Sequence, residues 1–258
     1  MTLTTENFST GYQNKDVIKS INLTLENCEW LGIIGANGSG KSTFLKGISR
    51  ILKPSSGLAF INEYDIHLSS SNVIAKEISI LPQLQTLDLQ MSVYDLVCLG
   101  RSPHKKWWQP DLNREDLVKV DQSLAFTEMS NLKDKAVGAL SGGQRQRAFL
   151  SLALAQDAKT LLLDEPTTFL DLHYQLQLLD LLKRLNQDQG LSIITVIHDV
   201  NLAARYCDRI AVFKNGELIA LDETSKVLTR ELMKEAFQVE TCQIETPIGL
   251  QICTINSC

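Results

Sequence analysis

The residues whose types and spacing most directly imply chemistry are Gly35-Ala36-Asn37-Gly38-Ser39-Gly40-Lys41-Ser42-Thr43. They follow an apolar run, Trp30 to Ile34, that reads as a buried strand. They precede a helical pattern in which Phe44, Leu45, Ile48, Ile51 and Leu52 share one side. Strand, then G-x-x-x-x-G-K-S, then helix is the setting of a phosphate-binding loop. The glycines let the backbone turn so that successive N–H groups converge on phosphate oxygens. The positive end of the following helix acts on the same anion. Gly35, Asn37, Gly38, Ser39, Gly40 and Thr43 are the expected cradle. Lys41 is expected to reach the β- and γ-phosphates, and the Ser42 hydroxyl to hold Mg²⁺. The chain is therefore expected to bind a nucleoside triphosphate.

Three further groups could act on that triphosphate. Leu140-Ser141-Gly142-Gly143-Gln144 opens the helical run Arg145 to Ala155 with Ser141 in N-cap position, a second anion site at a helix start. Thr160 to Leu163 is a short, fully apolar strand, as in a parallel sheet, and it ends in two acids. Beside a phosphate-binding loop, Asp164 is the expected carboxylate on the Mg²⁺ side. Glu165 then falls by the γ-phosphate, where it could orient and deprotonate water. His198 ends the apolar run Ser192 to Ile197, and ligand groups cluster at such strand ends, so it is read as a γ-phosphate contact.

These groups must be held by a sizeable core. The 258 residues are 44% hydrophobic and 21% charged, an ordinary globular composition, and suffice for one large α/β domain or two small ones. The net charge of −5 disfavours nucleic acid as the main partner. Met1 to Asn7 has neither a basic nor an apolar leader pattern, and no apolar run approaches a membrane span. A cytosolic chain is expected. Its six cysteines, Cys28, Cys98, Cys207, Cys242, Cys253 and Cys258, form no C-x-x-C and are expected to be free thiols.

Alternation predicts an edge strand over Leu3 to Ser9 and a half-buried strand over Val17 to Leu25. Lys53 to Gly57 is expected to break the chain, with strands following at 58–61 and 78–83. From 84 to 157 the pattern turns helical, notably over 93–99 and 115–126. Between these lies a loop, Arg101 to Pro110, with adjacent Trp107 and Trp108, either packed or a docking surface. A helix is expected over 171–185. A hairpin is expected at Asn215-Gly216.

In this order the motifs resemble an ATP-binding cassette (ABC) ATPase over essentially the whole chain. The resemblance implies a P-loop NTPase (RecA-like) α/β core, residues 1–83 and 158–258, with an antiparallel β subdomain. It implies an inserted α-helical subdomain, 84–157, carrying LSGGQ. Gln83 matches the family's Q-loop glutamine, which senses Mg²⁺ and water, and Tyr12 the aromatic that stacks on adenine. Asp171 matches the D-loop, Glu165 the catalytic base and His198 the switch histidine. LSGGQ, with Ser141, Gly142, Gly143 and Gln144, closes on ATP bound to a second copy, so two chains sandwich two nucleotides.

The phrases Asp164 to Leu172 and Ile197 to Asp208 are similar to importers of ferric siderophores, ferric citrate, haem and cobalamin, and Gly100 to His104, with tryptophans soon after, most resembles the ferric-citrate and ferric-enterobactin-type ATPases. Tyr174 departs from that group, which usually has histidine there; little consequence is expected. The resemblance implies an ATP-hydrolysing homodimer with Mg²⁺, at the cytoplasmic face of the membrane, on permease subunits fed by a periplasmic or lipoprotein substrate-binding protein. Iron(III) complexes are the expected cargo, with haem or cobalamin as alternatives. A soluble DNA-repair or iron–sulfur assembly ATPase is the competing class, and it usually carries insertions or zinc modules not visible here.

Overall fold

The structure is a computed structural model of the chain. It describes residues 2–13, 15–81, 90–105, 111–168, 170–247 and 249–257, the side chain of Ser257 excepted. Contacts divide the chain into two units, Met1–Ser69 with Gly190–Cys258, and Ser70–Gln189.

The first unit begins with β1 (Leu3–Tyr12) and β2 (Lys15–Leu25), an antiparallel pair. β3 (Trp30–Gly35) follows, buried along its length, and then α1 (Lys41–Ile48). β4 (Pro54–Ile61) and the short β5 (Tyr64–Asp65) complete a sheet of order β2-β1-β4-β5. β1 is thus interior, not the edge strand that its weak alternation predicts. The alternation is weak because the register slips twice between Thr5 and Thr10. The same slip lets Ile18 and Ile21, three residues apart, both be buried. Ser20 lies between them at φ 50°, an extra residue typical of a bulge. The expected break at residues 53–57 is instead the start of β4. Pro54 opens the strand, where no ladder N–H is needed.

The second unit runs through α2 (Ser71–Glu77), β6 (Ile78–Leu81), α3 (Val93–Cys98), α4 (Arg114–Phe126) and α5 (Gly142–Ala155). It closes with β7 (Thr160–Asp164) and α6 (Leu172–Gln189). β6 and β7 are parallel, from Ile78↔Thr160 to Leu81↔Leu163. α3, α4 and α5 pack on one another through buried Val93, Leu96, Val97, Val120, Leu124 and Phe149. Arg101 lies buried among them. Its Nε is 2.8 Å from Asp116 Oδ1, and its Nη1 donates to Ala155 O at 2.8 Å.

The chain returns to the first unit with β8 (Ser192–Val196), α7 (Val200–Tyr206), β9 (Arg209–Lys214) and β10 (Glu217–Glu223). α8 (Thr224–Val227), α9 (Arg230–Phe237), β11 (Val239–Thr246) and β12 (Gly249–Ser257) follow. β3 pairs in parallel with both β8 and β9, so its six buried residues sit mid-sheet. β9 and β10 form the expected hairpin, with Asn215 at φ 50° and Gly216 at φ 85°. Trp30 fixes the core, its Nε1 donating to Thr195 Oγ1 at 3.0 Å. Phe44 of α1 lies 5.4 Å from Phe213 of β9, ring to ring.

Candidate functional site

In the first unit, β3 delivers the chain to a loop whose backbone only glycine tolerates at two points. Gly35 has φ 151°, and a Cβ there would sit 2.2 Å from Phe213 O. Gly40 has φ 102°, and a Cβ there would meet Ile18 Cγ2 at 2.6 Å. Ala36, Asn37 and Gly38 at the tip are exposed, while Ser39, Lys41 and Thr43 are buried. The loop is tied down from behind. Ser39 N–H donates to Ala36 O at 3.2 Å, and Gly216 N–H donates to Ser39 O at 3.0 Å. Lys41 Nζ donates to Gly35 O at 2.8 Å and Ala36 O at 3.0 Å, which folds the ammonium back over the loop. Gly40 caps α1 and brings no side-chain oxygen of its own to the first N–H groups. A glycine-shaped loop that carries an ammonium at a helix start is suited to a polyphosphate.

Two more predicted groups sit close to this loop. Ile197 N–H donates to Ile33 O at 3.1 Å, two residues before Gly35, so the adjoining His198 leaves β8 beside the loop, exposed. Asp199 caps α7, its Oδ1 accepting from Asn201 N at 2.8 Å and Leu202 N at 3.1 Å. Tyr12 is 45% exposed beside α1, with Lys46 Nζ 3.4 Å from its hydroxyl. The same ammonium lies over the ring, 6.0 Å from its centroid.

The second unit holds the other predicted residues. Ser141 Oγ accepts from Gln144 N at 3.3 Å and Gln144 Oε1 accepts from Ser141 N at 3.2 Å, a reciprocal cap of α5. Both ends of the box are satisfied by the pair itself, and Ser141 and Gly142 are exposed. Among the described residues, nothing lies within 4 Å of a Cβ built at Gly142. At Gly143 the same atom would lie 3.3 Å from the ring of Tyr174. Asp164 ends β7, 5% exposed, and Glu165 follows at φ 53°. Glu165 Oε2 accepts from Thr168 Oγ1 at 3.2 Å. Asp171 is turned to the start of α6, where its Oδ1 accepts from Tyr174 N at 3.1 Å. Gln83, Trp107 and Trp108 lie outside the described residues.

Sequence reasoning missed two features. The ring of Tyr174 is the neighbour of Gly143 in the LSGGQ helix, a contact that its place beyond the D-loop does not suggest. A large ring three residues after Asp171 was the available signal. Asn201 accepts from Ile252 N at 2.7 Å and donates to Ile252 O at 3.1 Å, joining α7 to β12. No local pattern reveals a pairing across fifty residues.

This cradle, with acids at strand ends and a capped glycine-rich helix, defines a P-loop ATPase of the cassette class. Residues 18–168 match the ABC transporter family, and the chain belongs to that family. The achromobactin transport ATP-binding protein of Dickeya dadantii is 40% identical over 242 residues, 94% of this chain and 89% of that protein. The iron(3+)-hydroxamate import ATP-binding protein of Bacillus subtilis is 40% identical over 245 residues, covering 95% and 91%. Among solved structures, a chain of an inward-facing transporter assigned to the metal-chelate type aligns with a TM-score of 0.84. Its identity is 27%, with 98% of this chain and 97% of that chain covered. An ATP-binding cassette in a dimeric post-hydrolysis state, bound to ADP and phosphate, aligns with a TM-score of 0.74 and 27% identity, covering 86% and 98%. No helix among the described residues is long and apolar enough to cross a membrane.

Proposed function

We propose that the chain is the ATP-hydrolysing subunit of an importer of iron(III) complexes, ferric siderophores or ferric citrate. One observation carries the reading. A complete LSGGQ caps α5 with its outer face open, in a chain whose relatives over nearly full length are an achromobactin transport and an iron(3+)-hydroxamate import ATP-binding protein. An open anion site on α5 suits a second copy's nucleotide.

The residues divide the work as follows. Tyr12 stacks on the adenine. The loop from Gly35 to Thr43 wraps the phosphates, with Lys41 turning from Gly35 O and Ala36 O towards the β- and γ-oxygens. Ser141, Gly142 and Gly143 of the opposing copy approach the γ-phosphate, and Gln144 locks their cap. Glu165 takes the proton from the attacking water, and His198 holds that water against the γ-phosphate. Asp171 keeps α6 and its preceding turn in place. The Ser42 hydroxyl and the buried Asp164 carboxylate are hard oxygen donors and would hold Mg²⁺, joined by Gln83. Bound there, the ion neutralises charge on the transferring phosphoryl group. Loss of the γ-phosphate removes the bridge between copies, so the dimer reopens and drives the permease subunits, which a binding protein loads.

Cargo is tested in cells deleted for this chain. They are expected to lose ferric-siderophore uptake and regain it with the intact gene, while haem and cobalamin uptake continue. Uptake of every ferric chelate at the undiminished rate would overturn the assignment.

A further inference from the structure

β11 and β12 form a two-stranded antiparallel sheet in which Cys242 is the direct partner of Cys253. Directly opposed residues share a face, and because Ile252 turns both its backbone groups to Asn201, Cys242 and Cys253 form the hydrogen-bonded pair, with Cα atoms about 5.5 Å apart. That separation is inside the roughly 4.4–6.8 Å that a disulfide spans. Their chain neighbours Thr241 and Ile252 are buried, at 3% and 6% exposure. Successive side chains point to opposite faces, so the two thiols share the outer face of the hairpin. Cys253 is exposed and Cys242 half-buried, and both are free. Sequence spacing hides the pair, because ten residues separate them.

We propose that Cys242 and Cys253 are a thiol pair that closes reversibly into a cross-strand disulfide by exchange with an oxidised small-molecule disulfide of the glutathione type. The exposed Cys253 thiolate attacks that disulfide, forming a mixed disulfide and releasing one small thiol. The Cys242 thiolate then attacks the Cys253 sulfur and releases the second. Two protein thiols are oxidised, and one small disulfide is reduced to two thiols. Reduced glutathione in excess runs the steps backwards. In a reducing compartment such bonds are transient and signal redox state.

The pair also has a route to the site. Ile252, next to Cys253, is held on both its N–H and its carbonyl by the Asn201 amide. Asn201 belongs to the first turn of α7, which Asp199 caps immediately after His198. Stapling β12 to β11 therefore steadies the strand on which the start of α7 leans. The functional weight of that coupling rests on the assignment of His198 to the γ-phosphate; the disulfide itself does not.

The test uses the full chain without nucleotide, so it is independent of ATP turnover. The protein is incubated with oxidised glutathione, remaining thiols are blocked, and linked peptides are mapped by mass spectrometry. The expected product links Cys242 to Cys253, forms equally in Cys258→Ser and disappears in excess reduced glutathione. Cys242→Ser should stop at glutathione on Cys253. Oxidation should slow amide exchange over 239–257 and over 200–203, and Asn201→Ala should abolish only the second effect. Glutathione on both cysteines without a link, or a link from Cys253 to another cysteine as the main product, overturns the proposal. Unchanged exchange at 200–203 overturns the coupling.

Discussion

Gly142→Ala separates the fold from the proposed sandwich. Gly142 is the first residue of α5, and a Cβ added there meets nothing within 4 Å among the described residues. In a helix interior, alanine is better than glycine by about 1 kcal/mol, and less at a first turn. For a chain of this size 1 kcal/mol moves Tm by about 2–4 °C. The isolated variant should therefore melt about 0–4 °C higher than the parent. Nucleotide binding to the Lys41 loop of a single copy should be unchanged. In the proposed dimer, however, the added methyl stands where the γ-phosphate must meet the backbone. Losing one hydrogen bond to a charged group costs about 1.5–3 kcal/mol, so turnover should fall about 10- to 150-fold. The assays are thermal melting by circular dichroism, equilibrium nucleotide binding and phosphate release at saturating ATP. A variant that melts normally and hydrolyses ATP at the parent rate refutes the seating of a nucleotide on this face. A variant that melts well below the parent refutes the open geometry. Gly143→Ala is the contrast: its methyl must displace Tyr174, which is 41% exposed and able to yield.

Glu165→Gln should convert ATP addition into a stable dimer by light scattering, since binding survives and hydrolysis stops; a persistent monomer contradicts the sandwich. Lys41→Ala should lose most ATP affinity by titration calorimetry. It should also lower nucleotide-free stability by about 1–3 kcal/mol, because Gly35 O and Ala36 O lose their ammonium donor. Arg101→Ala strands the buried Asp116 carboxylate and should cost about 3–5 kcal/mol in urea unfolding, whatever the nucleotide. His67 stacks on Phe8 at 5.9 Å, and burial, with Arg50 adding, pulls its pKa below 6.5. A lowered histidine pKa means that the unfolded chain binds more protons in acid. Stability should therefore hold above pH 6.5 and fall as pH drops below it, and His67→Asn should flatten that slope in urea titrations.

The sequence made the strands around the nucleotide legible because β3, β7 and β8 are short runs buried on every face, bounded by chemistry that has few other uses. Ser141 announced its cap of α5, and Asn215-Gly216 its hairpin. The antiparallel sheet was harder. β1 alternates poorly, since Asn7 at φ 46° and Ser20 at φ 50° carry bulges that shift the buried phase mid-strand. α2 escaped notice because it buries only Ile74 and so has no apolar stripe. The pairings of Cys242 with Cys253 and of Asn201 with Ile252 exist only once register and packing are set. Local patterns therefore reveal elements and motifs, while the contacts that couple them are tertiary.

Glu165 shows why the site cannot be explained by folding alone. An acid after a strand is ordinarily a turn residue facing water. Here it occupies the left-handed region, at φ 53°, where a side chain costs about 1–2 kcal/mol and glycine or asparagine is the easier choice. The surroundings enforce that conformation rather than relax it. Thr168 N–H donates to Glu165 O at 3.2 Å and Thr168 Oγ1 to its carboxylate. Gln175 Nε2 reaches Leu170 O at 2.9 Å, and Asp171 caps the helix beyond. A turn held this way, directly after a buried aspartate, fixes a carboxylate in space at the expense of stability. Glu128 holds a similar φ of 60° with no part in the site, so it is the buried aspartate before it and the turn after it that set Glu165 apart. In the proposed mechanism the work of Glu165 is the removal of a proton from water at the γ-phosphate.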